Sequence, residues 1–223
     1  MPAKVQNRYK LCLLEDCLEA DVSSRSVLPS LNRILYQVEG RTTINHSILI
    51  QDNIWFGFGE INLTSNELPS RLWRWELMDQ HQTPTSLKGA GLASRLLISE
   101  IIESVKLDAN WLMRCDSVGF PAGGRAYTHT HRGPGVRCLI EGAIRIDTQN
   151  HSEHFTPGEA WFEAGPEPVF AEASEKSHSR FIRVMLVPPE FEGKSTIQYV
   201  RDEDLDKPKS QIYRKYCETR LNI

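Results

Sequence analysis

Cysteine is scarce in this 223-residue chain, with five residues, and they are scattered. Cys12, Cys17, Cys115, Cys138 and Cys217 form no C-x-x-C pair, which excludes a zinc knuckle or a dithiol redox motif. Reduced thiols packed as small hydrophobes are the expectation. Charge of one sign is also lacking: 26 Lys and Arg stand against 29 Asp and Glu, a formal net charge of −3. That balance gives no general attraction to nucleic acid or to an anionic membrane. No apolar run approaches the roughly 20 residues a membrane-spanning helix needs. The start, MPAKVQNRYK, has neither the apolar stretch nor the cleavage site of a signal peptide, so the cytoplasm is the expected location. No G-x-x-x-x-G-K-[ST], strand-borne G-x-G-x-x-G, H-E-x-x-H or G-x-S-x-G motif occurs, which removes the phosphate-loop, dinucleotide, zincin and serine-hydrolase signatures.

What is present is β-strand. RILYQV, TTINHSILI, NIWFGFGEINL, RLWRWELM, WLMRCDSVGF, VRCLI, AIRIDT, AWFEA, RFIRVMLV and TIQYV are rich in β-branched and aromatic residues. Their near-regular spacing predicts an all-β sandwich or closed barrel with few short helices. LEDCLEA near the start reads as a helical turn or two, and SRLLISEIIESV (94–105) as a helix or a strand.

A repeat runs through these strands. RILYQVEGRTTI (33–44) resembles RCLIEGAIRI (137–146): an apolar run, Glu-Gly, then an alternating strand. DNIWFGFG (52–59) matches GEAWFEAG (158–165), and each copy closes on an arginine-bearing strand, RLWRWELM or RFIRVMLV. Two tandem copies are expected, 1–85 and 86–223, joined near the polar stretch DQHQTPTSLKGAGLAS (79–94). The tail RDEDLDKPKSQIYRKYCETRLNI reads as a solvated extension packing a few aromatics, such as Tyr213 and Tyr216, on the second copy.

The chemistry concentrates in YTHTHRGPGVRCLIEG (127–142). On a strand, residues i and i+2 share a face, so His129 and His131 aim at one spot. By the same parity Tyr127 and Arg137 join that face. Tyr127 is a candidate to orient a substrate or supply a proton. Arg137 has a guanidinium fork suited to a substrate carboxylate or phosphate, or equally to an internal glutamate. The R-G-P-G turn either widens the mouth of a pocket or is simply a tight turn.

These residues resemble the two sequence motifs of the cupin superfamily, G-x5-H-x-H-x3-4-E-x6-G and G-x5-P-x-G-x2-H-x3-N. Gly123 lies six residues before His129, Gly142 eleven after His131, and Pro157-Gly158 opens the second motif. The resemblance covers about 115–188 and extends weakly to 30–78. It implies a double-stranded β-helix (jelly-roll) barrel, here two in tandem with a degenerate first half. It also implies a divalent metal (Fe, Mn, Ni or Zn), a small and probably anionic ligand, dioxygenase-like chemistry and a homodimer.

Two family ligands are missing. The glutamate position is Gly135 and the third-histidine position is Val169, while the first copy carries Val27 and Pro29 where its histidines would fall. Glu163 in AWFEA is the substitute: with His129 and His131 it would complete a 2-His-1-carboxylate set. Alternatively it lies at the barrel rim, solvated or paired with an arginine. The leading expectation is a metal-dependent barrel acting on a small anion. The rival is a barrel that has lost the metal and binds a ligand or serves as a scaffold.

Overall fold

The computed structural model describes residues 8–24, 27–148 and 151–223. The first seven residues, on which the signal-peptide reading partly rests, lie outside the described residues. The chain divides into two compact units, one running to Leu107 and the other spanning Asp108–Leu221.

The first unit contains β1 (Tyr9–Leu18), β2 (Asn32–Glu39), β3 (Arg41–Ile44), β4 (Ser47–Ile50), β5 (Ile54–Gly57), β6 (Leu63–Ser65), β7 (Ser70–Asp79) and β8 (Leu92–Ile101). The second contains β9 (Leu112–Phe120), β10 (Arg125–His131), β11 (Gly135–Glu141), β12 (Ile144–Thr148), β13 (His151–Phe155) and β14 (Ala160–Glu163). It continues with β15 (Val169–Ala173), β16 (Ser179–Val187), β17 (Ile197–Tyr199) and β18 (Ile212–Arg220). Apart from two three-residue 3-10 turns, all the regular structure among the described residues is strand, and every paired strand is antiparallel. Among the described residues no helix is long and apolar enough to cross a membrane.

The expected all-β jelly-roll class is therefore what the chain forms. In the second unit one sheet has the order β14-β11-β16-β9-β18 and the other β13-β12-β15-β10-β17. Their inner faces share a core of Val118, Phe120, Leu139, Ile146, Trp161 and Phe181, among others. Alternation drives this placement: in β15, Val169, Ala171 and Ala173 are buried while the residues between them are half-exposed.

The duplication goes deeper than the sequence suggested. The first unit's large sheet has the order β5-β2-β7-β1-β8, strand for strand the pattern of β14-β11-β16-β9-β18. Gly40 and Gly142 occupy the same place, just after a bulge in β2 or β11. Their φ angles are +74° and +77°, and a Cβ would overlap the carbonyl oxygen of Pro69 or His178, so only glycine fits.

Three expectations change. LEDCLEA is not helical, because Leu14–Leu18 continue β1 and pair along β7 and β8. The polar stretch 79–94 lies inside the first unit: it loops between β7 and β8, its last three residues already belong to β8, and β8 pairs with β1, so the units divide after Leu107 rather than at 85. The tail is not a solvated extension: β18 hydrogen-bonds along β9 and closes the sheet as β8 does in the first unit.

Candidate functional site

β10 carries both histidines to the interior of the second unit, where they are 5% and 7% exposed. Val169 faces His129 across the β10–β15 pairing. The rings meet edge to face, with His129 Nε2 3.2 Å from His131 Nε2. This contact fixes the tautomers. The Tyr127 carbonyl oxygen, 2.6 Å from His129 Nδ1, can only accept, so Nδ1 carries the proton and Nε2 presents its lone pair. His131 Nε2 then carries its proton toward that lone pair and toward Glu163 Oε2, 3.3 Å away. Burial pushes both imidazoles down, His131 to about 3, so both are neutral at pH 7.

Glu163 reaches the site from β14, directly opposite Gly135. Its Oε1 accepts from the Trp161 indole N–H at 3.0 Å. Its Oε2 lies 2.6 Å from Arg137 Nη2, a charge contact rather than an aligned hydrogen bond. Burial alone would raise this carboxyl, but the Arg137 charge, with the His131 N–H beside it, holds it well below the usual range. Arg137 is fully buried and donates through Nη1 to the Gly135 carbonyl at 2.6 Å. Burial lowers its guanidinium to about 10, still charged at neutral pH. Beside it, Arg183 holds Asp116 in a two-bond fork of 2.9 and 2.8 Å. The interior thus contains two guanidiniums, two carboxylates and two neutral imidazoles.

The space among them is small. A cavity of about 20 Å³ lies between His129, His131, Arg137, Glu163, Val169 and Phe181, room for roughly one water. At the mouth of the barrel a larger pocket of about 300 Å³ is lined by Arg114, Arg183, Lys194, Lys215, Tyr213 and His131, with Asp116 as the one carboxylate. His131, Arg183 and Tyr213 border both spaces.

Do these side chains fit the divalent ion the cupin resemblance implies? The spacing of the two Nε2 atoms does, since donors about 2.1 Å from one ion stand about 3.0–3.4 Å apart. Three other observations do not. A ligating imidazole normally donates its second N–H, yet His131 Nδ1 is buried with no partner among the described residues. The Glu163 oxygen nearest His131 is the one Arg137 holds. The cluster is already charge-balanced, so a divalent ion would add two uncompensated buried charges. Among the described residues no group of three His, Cys, Asp or Glu side chains is arranged to hold a metal. As they stand, His129, His131 and Glu163 do not form a divalent metal centre.

Arg137 therefore pairs with an internal glutamate, one of its two expected roles, and Glu163 pairs with an arginine. Tyr127 does not share the histidines' face. The register shifts between Ala126 and His129, so the Tyr127 ring lies outside the inner cavity, 5.0 Å beneath Lys207 Nζ. The R-G-P-G turn closes space rather than widening it, because a Cβ on Gly133 would overlap the Leu186 carbonyl. Arg183, Asp116 and Arg114 escaped the sequence reading. The available signal was an arginine on the inward parity of the apolar strand RFIRVMLV.

The first unit has no histidines inside. Arg33, Arg74, Asp16 and Glu76 fill its interior with fully buried side chains. Arg74 forks Asp16 at 2.6 and 3.1 Å and also reaches Glu76 at 2.8 Å, while Arg33 binds Glu76 at 2.7 Å.

No family model matches the chain, and no curated protein matches its sequence. Solved structures do share its fold. Salicylate 1,2-dioxygenase from Pseudaminobacter salicylatoxidans superposes with a TM-score of 0.57 at 11% identity, over 85% of this chain and 74% of that one. AerE from Microcystis aeruginosa gives 0.57 at 12% identity, over 84% and 96%. A variant of the salicylate dioxygenase in complex with gentisate gives 0.56 at 12%, over 85% and 72%. At such identities the likeness establishes the fold alone.

Proposed function

We propose that the second barrel binds a small organic anion at its mouth. The observation that carries this reading is the pocket of about 300 Å³ in which four cationic side chains face a single carboxylate, with the buried His131 on its wall. Arg183 is committed to Asp116 and Arg114 is paired with Glu218. Lys194 donates to the Glu190 carbonyl at 3.0 Å and Lys215 reaches Glu218 at 3.5 Å, both from the exposed ends of long side chains, so these two ammoniums are the charges that can swing onto a ligand. The volume lies at the lower end for small-molecule sites and suits a single-ring or short-chain acid. Salicylate and gentisate, named in the structures of similar fold, are reasonable first probes.

Calorimetric titration of salicylate, gentisate and short dicarboxylates into the full chain tests this. Saturable binding that weakens with salt and is lost in the Lys194→Glu/Lys215→Glu variant is expected. No heat and no thermal shift with any of these acids at millimolar concentration would end the reading.

A further inference from the structure

We infer that Arg137 is the resident cation of the second barrel: its guanidinium takes the place of a divalent ion, and removing it would open a metal site on His129, His131 and Glu163.

The geometry assigns Glu163 to Arg137. Arg183 is directly opposite Arg137 in the β11–β16 pairing, and its Nε and Nη2 both donate to Asp116. Glu163 Oε1 is occupied by the Trp161 indole, which leaves Oε2 for Arg137 alone among the cations. The opposite end of the guanidinium is tied to the Gly135 carbonyl. Arg137 thus bridges the backbone site that lacks a carboxylate and the carboxylate supplied across the sheet.

The first unit follows the same rule. Its two buried carboxylates are matched by two buried guanidiniums, and every interior cation is an arginine. Counting from the equivalent glycines, Arg33 corresponds to Gly135 and Leu35 to Arg137, so one arginine lies two residues further along the strand in the second unit. Both barrels balance their interior charge with covalently anchored cations. The second differs in having two neutral imidazoles 3.2 Å apart beside its carboxylate.

Take away Arg137 and Glu163 becomes an uncompensated buried anion, 3.3 Å from His131 Nε2, next to the space the guanidinium filled. A buried unpaired charge is strongly destabilising. A divalent ion bound by Glu163 and the two Nε2 atoms, together with a hydroxide drawn from water, restores the charge balance Arg137 held, and the three donors form a recognised set for first-row metals.

The test is metal binding to Arg137→Met in the full chain, read by calorimetry with Ni²⁺, Zn²⁺ and Mn²⁺ and by metal content after dialysis. The variant is expected to bind one ion at least about 100-fold more tightly than the unsubstituted protein, the minimum that relief of an unpaired buried charge supplies. The gain should vanish in Arg137→Met/Glu163→Gln. A folded Arg137→Met that binds no better than the unsubstituted protein overturns the inference. So does near-stoichiometric metal in the unsubstituted protein that depends on His129 and His131. Should Arg137→Met fail to fold, ¹⁵N spectra of the unsubstituted protein decide. The imidazole resonances of His129 and His131 should not move on adding Zn²⁺, and a saturable shift refutes the idea. Anion binding at the mouth does not enter this measurement, so the two readings stand or fall separately.

Discussion

Glu163 stands directly across the β11–β14 pairing from Gly135, so the carboxylate absent from one strand is supplied by its neighbour. The substitution is not equivalent. A side chain at position 135 would press on Met185 and the Val184 carbonyl, whereas Glu163 arrives from the sheet edge and meets Arg137 first. The same acid function, entering from a different strand, becomes half of an ion pair.

That pair makes a stability prediction. Glu163→Leu leaves the Arg137 guanidinium buried without a counter-charge and Arg137→Met leaves the Glu163 carboxylate so; each should cost about 3–5 kcal/mol, whereas Arg137→Met/Glu163→Leu should lose much less than their sum. Urea denaturation of the two single variants and the double gives the coupling energy. Additive losses would contradict the pairing.

Acid should unfold the second unit through the same cluster. His131 titrates near 3 when folded against an ordinary 6.5, because burial favours its neutral form. Glu163 is also depressed. For a lowered folded pKa, stability is complete above the unfolded value and is lost as pH falls toward the folded one. Stability should therefore fall from about pH 6.5 down to about pH 3, with Glu163 adding to the loss below about 4.5. One proton contributes a slope of up to about 1.4 kcal/mol per pH unit. His131→Asn should flatten the curve between pH 6 and 4 by about one proton, as read from denaturation midpoints across pH.

Gly142→Ala should destabilise by about 1–3 kcal/mol or more, because it combines a left-handed backbone with overlap on the His178 carbonyl. Gly40→Ala should behave alike in the first unit. Gly158→Ala serves as a comparison: its φ is also positive, +89°, but no atom crowds the added methyl, so the loss should be smaller. Thermal unfolding of the three variants ranks them.

Truncation before Ile212 should be damaging. It strips the partner from one edge of β9 and uncovers unpaired backbone groups. Loss of solubility or a shift to large species in size-exclusion chromatography is expected. A soluble truncated chain with an unchanged unfolding midpoint would mean that β18 contributes little.

Much of the fold could be read from the residues because its signals are local. His129 and His131 two apart, Gly142 at a fixed distance, and alternating strands such as AIRIDT each constrain a few neighbouring positions. What stayed hidden depends on partners distant in the chain. Asp16 and Arg74 are 58 residues apart, and nothing in LEDCLEA announces that its aspartate is fully buried. The segment read as a helical turn or two, and pairing along β7 and β8 overrode that reading. Tyr127 was misplaced because parity counts assume an unbroken ladder, and the register shift before His129 reverses the face. The identity of the Glu163 partner was open for the same reason: Arg137 and Glu163 meet only once β11 and β14 are side by side.

The matching strand orders of the two units carry a last consequence. Each large sheet is completed by a returning strand from its own half, β8 in one and β18 in the other. Closure of either half is thus independent of what fills its interior. The same sheet order can therefore enclose four ions alone in one half and four ions with a histidine pair in the other.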